Sequence, residues 1–105
     1  MIVTTSEHIA GADIRETLGL VRGNTIKAKH IGKDILAALR SIVGGEITEY
    51  TEALSEARET AMKRMVRQAE SMGADAIISV RFTTSAVMAG AAELLVYGTA
   101  VKLRR

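Results

Sequence analysis

The sequence predicts an α+β fold, a two-layer sandwich with two helices covering one face of a mostly antiparallel sheet. Three observations predict it. Apolar residues alternate near both ends of the chain but recur at helical spacing in the middle. Glycines stand where those helical runs stop, at Gly44, Gly45 and Gly73. A chain of 105 residues has room for one core, so residues 1–105 are expected to form a single domain in the order strand, strand, helix, helix, strand, strand.

Each element has a local cause. Ile2 to Thr5 is short and rich in β-branched residues, which suits a strand, and Ser6 to Asp13 reads as a connection containing Gly11. Ile14 to Ala28 places Ile14, Leu18, Leu20 and Ile26 on one parity, interrupted by Gly19 and Gly23. That pattern predicts an irregular or bulged pair of strands. From His30 the period changes. Ile31, Ile35, Leu39 and Ile42 recur as on a helix of about three turns, widened by Leu36 and Val43. The pair Gly44–Gly45 then reads as a hinge between helices rather than a phosphate loop, because Glu46 follows it and repels an anion.

Thr48 is placed to cap the next helix, whose buried face is marked by Tyr50, Leu54, Ala57, Ala61, Met65, Ala69 and Met72. Glu49, Glu52, Glu56 and Glu59 load its first half and Lys63, Arg64 and Arg67 its second, as the macrodipole favours. Gly73 should stop it. Beyond, Ile78, Val80 and Phe82 alternate with Ser79, Arg81 and Thr83, and a second strand runs from Glu93 to Leu103. Ser85 to Ala92 lacks an Asn-Gly turn and reads as a mobile loop.

Composition narrows the function. Aromatics are 3% of residues, so the core must be built from aliphatic, Met and Ala side chains, each burying little area. Contacts with further copies of the chain are expected to supply the missing burial. Fourteen basic residues against twelve acidic ones give a formal charge of +2, too little for a nucleic-acid face. The absence of cysteine fits a reducing compartment, and no stretch has the length and apolarity of a membrane span or the layout of an export signal. The expected setting is therefore cytoplasmic, with no membrane or nucleic-acid partner.

The usual chemical signatures are missing. No GxGxxG, GxxxxGK[ST] or GxSxG occurs, and carboxylate pairs such as Glu52 and Glu56 fall on the polar side of a helix. No cofactor is expected. A metal site would have to be assembled from His8, His30 and Glu46, which are far apart, and a hydrogen-bonding surface role is the plainer reading of both histidines. The methionines Met62, Met65, Met72 and Met88 read as packing residues. Arg81, inside an apolar strand, and Glu93, opening its partner, suggest a cross-strand ion pair, an interface contact or an anion site. Tyr97 carries a hydroxyl into the same strand pair.

Three motifs, IVGGE at 42–46, GADAI at 73–77 and YGTAV at 97–101, recur here in an order and spacing that resembles the YbjQ-like family, which carries a heavy-metal-binding label and an uncharacterised function. The similarity extends over the whole chain and includes RFTT at 81–84; Ser79 stands where the resemblance implies glycine. It implies a small α+β subunit in a ring of five copies, with no established catalytic residues. The metal label finds no thiolate here. The leading expectation is a homo-oligomeric, non-enzymatic binding or assembly domain. The alternatives are a metal or small-anion site between subunits, drawing on His8, His30, Glu46 and Arg81, or an enzyme whose interface cleft holds a desolvated carboxylate or Arg81 beside Tyr97.

Overall fold

A computed structural model describes residues 1–27, 48–88 and 91–104. The described chain runs β1 (Ile2–Val3), β2 (Asp13–Lys27), α1 (Thr48–Ser71), β3 (Ala76–Met88) and β4 (Ala91–Arg104). The class is α+β, as expected. The order differs, because one helix rather than two stands between the strand pairs among the described residues. The helix expected from His30 to Val43 and the hinge at Gly44 and Gly45 lie outside them, as do His30 and Glu46.

The sheet has the order β1-β3-β4-β2. Its pairs β2–β4 and β3–β4 are antiparallel, while β1 lies parallel to β3 through Ile2↔Ala76 and Val3↔Ile77, so the sheet is mixed. Two further sequence expectations are corrected. Residues 14–28 do not form a strand pair: Asp13–Lys27 is one long strand, and its irregularity is taken up by bulges between Ile14 and Glu16 and between Thr17 and Gly19. Nor do the described residues of 85–92 form a loop. Ser85↔Glu93, Ala86↔Ala92 and Met88↔Ala91 continue the ladder almost to the tip, since small residues pair by backbone without an apolar alternation to announce them.

Helix α1 matches its sequence signature closely. Ala57, Ala61, Met65 and Ala69 are fully buried, one per turn. The helix ends in a double backbone bond in which Gly73 N–H donates to the Glu70 carbonyl at 3.0 Å and Ala74 N–H to the Ala69 carbonyl at 3.1 Å. Gly73 takes φ +78°. This left-handed stop satisfies two terminal carbonyls at the residue type that tolerates it. Asp75 then locks the turn onto the sheet: its N–H donates to the Val101 carbonyl at 2.9 Å, and its carboxylate accepts Leu103 N–H at 2.8 Å.

The helix sits on β2 and β4 because Gly23 has no side chain. A Cβ there would lie 2.0 Å from the Ala61 carbonyl oxygen and 2.6 Å from Met65 N, so the helix backbone rests directly on the strand backbone. Polar groups fasten the same contact. Thr25 Oγ1 donates to the buried Ala57 carbonyl at 3.1 Å, Arg64 Nη1 donates to the Asn24 carbonyl at 2.7 Å, and Gln68 Oε1 accepts Arg22 N–H at 2.8 Å. The outer strand of the sheet thus has two of its backbone groups taken by helix side chains, which blunts it as an edge.

Two apolar clusters result, one on each sheet face. Val21, Ile77, Val80, Val96 and Ala100 pack under α1, whereas Ala76, Ile78, Val101 and Leu103 are covered on the opposite face by Ile9 and Ala12 of the connection after β1. The alternation expected through Phe82 fails at a bulge. Ser79 adopts φ +54° between the pairs Ile78↔Thr99 and Arg81↔Tyr97, and Phe82 is left 44% exposed. Non-glycine residues pay about 1–2 kcal/mol for this left-handed conformation. Ser79→Gly is therefore expected to stabilise by about 0.5 kcal/mol after its greater unfolded-chain entropy is counted, read as a higher urea midpoint at unchanged slope. A lower midpoint for Ser79→Gly would contradict a strained serine.

Candidate functional site

The residues singled out in sequence divide into those the sheet collects and those it leaves apart. Arg81 and Tyr97 are directly opposite each other on β3 and β4. Glu93 is not their neighbour; it stands opposite Ser85 and Ile26, nearer the hairpin tip, and its Oε2 accepts Asn24 Nδ2–H at 3.1 Å. The expected Arg81–Glu93 pairing is therefore replaced by two separate contacts, because the register places the two residues four positions apart along the ladder. His8 is exposed in the connection between β1 and β2.

Arg81 is anchored by backbone rather than by a carboxylate. Its Nη1 donates to the Thr5 carbonyl at 3.0 Å and to the Val80 carbonyl at 2.8 Å. The segment after β1 is itself strapped to the bulge, with Ser79 N–H donating to the Ser6 carbonyl at 3.0 Å and Val80 N–H to the Thr4 carbonyl at 3.1 Å. The bulge, the strap and the guanidinium form one unit. On the other side of Tyr97, the register adds a residue not selected from sequence: Arg22 of β2 is opposite Tyr97. Its signal in the sequence is an arginine on the parity of Leu20 and Ile26, which is visible only once 13–27 is one strand.

No group of three or more His, Asp or Glu that could hold a metal ion occurs among the described residues, and the chain has no cysteine. Soft heavy metals favour thiolate and thioether donors. The one described histidine, His8, is exposed on a connection without such a group around it. The donors described in a single chain do not fit a heavy-metal centre. Among the described residues, no helix is long and apolar enough to cross a membrane.

The whole-chain extent of the match decides the affiliation: the YbjQ family model, described as "Putative heavy-metal-binding", covers residues 1–104. The chain belongs to this family. A UPF0145 protein of Methanosarcina acetivorans is 64% identical over 103 residues, covering 98% of this chain and 97% of that protein. Another UPF0145 protein, from Colwellia psychrerythraea, is 56% identical over 105 residues and covers all of both chains. A crystal structure of a DUF74-family protein of unknown function from Pediococcus pentosaceus superposes with a TM-score of 0.67, covering 99% of this chain and 98% of that one, at 17% identity. That last likeness speaks to the fold alone. In this YbjQ-family chain the motif RFTT carries the anchored Arg81 and YGTAV carries Tyr97, so two of the motifs meet across the β3–β4 ladder.

Proposed function

We propose that this YbjQ-family chain is a subunit of a cytoplasmic homo-oligomer, a ring of five copies, whose role is binding or assembly rather than catalysis. The observation that carries the assembly is exposed apolar surface among the described residues.

Large apolar side chains stand exposed on the sheet. Leu20 and Ile26 are 65% and 57% exposed on β2, and Phe82 projects from β3. The number five rests on the family resemblance, and these exposed apolar side chains support association without fixing a number. Native mass spectrometry of the untagged full chain tests the reading. A single closed oligomer is expected; a monomer at micromolar concentration would overturn it.

Binding, the other half of the role, finds support in the anchored Arg81 beside Tyr97 rather than in a metal centre. Small-anion recognition at or near the subunit surface is the form of it that this pair favours.

A further inference from the structure

The sheet face turned away from α1 carries a cross-strand row of exposed residues. Arg22 of β2 is opposite Tyr97 of β4, and Tyr97 is opposite Arg81 of β3. Side chains paired in this way project from one face, so the three stand in line. All three are exposed, Tyr97 by 37%. With strands about 4.8 Å apart, the two arginine Cα atoms are about 10 Å apart, one on each side of the phenol ring.

Among the described residues, the rows on either side of this cationic row hold no acidic side chain. The next row toward the hairpin tip holds Asn24, Leu95 and Thr83, and the next row the other way holds Leu20, Thr99 and Ile78. None of these is acidic. Glu93, further along β4, is engaged by Asn24. Like charges gathered on one sheet face oppose each other, and an anion lying between them reverses the sign of that interaction. One nitrogen of Arg81 is already engaged: the Thr5 and Val80 carbonyls hold its Nη1, so a ligand would meet its other N–H groups, and the bulge with Ser79 at φ +54° sets the strand just before it. Bulges commonly re-aim a side chain in this way next to functional sites.

We infer that Arg22, Tyr97 and Arg81 form a binding site for a phosphate monoester. A phosphoryl dianion matches two guanidiniums in charge, and its tetrahedral oxygens can accept from both forks at once, which a single planar carboxylate does less well. The Tyr97 ring is the floor against which the organic part of the ester lies, and its hydroxyl supplies a further donor. Inorganic phosphate shares the phosphoryl chemistry but not the contact with the ring. The inference rests on the binding half of the proposed role and not on the ring of subunits, and the test reads the two separately.

The experiment is calorimetric titration of the full chain with phenyl phosphate and with inorganic phosphate at constant ionic strength, with the native mass of each variant measured alongside. One saturable site per chain is expected for phenyl phosphate. Arg22→Gln and Arg81→Gln should each weaken it roughly tenfold or more, the loss of a charge-assisted pair. Tyr97→Leu should weaken phenyl phosphate more than inorganic phosphate. Equal affinity for the two probes in the native chain would assign the ligand to the phosphoryl group alone, within the same site. Arg22→Lys and Arg81→Lys, which keep the charge but lose the fork, carry the test if a Gln variant misfolds, and each should bind more weakly than the native chain. The proposal is overturned if neither probe saturates, or if the Arg22→Gln, Arg81→Gln double variant binds as the native chain does. A fall in oligomer mass with unchanged phosphate affinity would also overturn it, and would make the row a contact between copies.

Discussion

Gly23→Ala is expected to destabilise the protein by about 3 kcal/mol, lowering the melting temperature by roughly 10 °C or more. On an ordinary strand position the same change stabilises by about 0.4–1 kcal/mol, because alanine loses less chain entropy on folding. The sign reverses here because the new Cβ would meet the Ala61 carbonyl oxygen at 2.0 Å and Met65 N at 2.6 Å. Both are backbone atoms of α1, so no rotamer change relieves them. The helix must lift from β2, which also strains the Thr25–Ala57 and Arg64–Asn24 hydrogen bonds. Ala61→Gly should not rescue the variant, since the obstructing atom is a carbonyl oxygen that glycine retains. A melt of Gly23→Ala followed by circular dichroism decides it at fixed protein concentration, as any assembly makes the midpoint concentration-dependent. A midpoint within about 2 °C of the native chain, well inside the shift expected from a lost kilocalorie, would show that the helix is not seated where this contact puts it.

Met65→Ala has the second largest expected effect, a loss of about 3 kcal/mol from the transfer of the side chain and the cavity left behind. Met65 is fully buried at the centre of the cluster under α1, with Val21, Ile77 and Val96. Met65→Leu conserves volume and should cost less than about 1.5 kcal/mol. Met72, on the same nominal face but 36% exposed at the helix end, is the internal control: Met72→Ala should stay within about 0.5 kcal/mol. Denaturant midpoints for the three variants check the ordering. Equal losses at positions 65 and 72 would contradict a core confined to the middle turns of the helix.

The contrast between these two methionines shows how far the residue pattern reaches. Spacing placed Met65 and Met72 on one helical face; Met65 is buried there, whereas Met72 lies just past the last helical residue, Ser71, and is exposed. The stop at Gly73 was legible for a local reason, since a left-handed φ follows from a few consecutive residues. Strand β4 was legible too, because buried residues alternate with more exposed ones from Leu94 to Ala100. Phe82 was misplaced. It continues the apolar parity of Val80, but α1 lies over β2 and β4 and touches β3 little, so a residue on the correct face can still have no cover.

For the candidate site, Arg81 and Tyr97 stood out as polar residues in apolar strands, whereas Arg22 did not. Nothing local to Arg22 distinguishes it from any solvent-facing arginine. Its meaning comes from register: a one-residue slip of β2 against β4 would send it to the opposite face. The same register separates Glu93 from Arg81, which adjacency in the hairpin had suggested as partners.

By itself, then, the sequence determined what short-range physics controls: the long helix and its glycine stop, the alternating strands, the α+β class, the lack of cysteine ligands and the motifs that mark the YbjQ family. Only the tertiary structure decided that residues 13–27 are one bulged strand, that Gly23 is the seat of the helix rather than a break, and that Arg22, Tyr97 and Arg81 share a row. Those outcomes depend on pairings between residues distant along the chain. Their energies come from contacts that no local window contains, so the same residues read alone remain compatible with several arrangements.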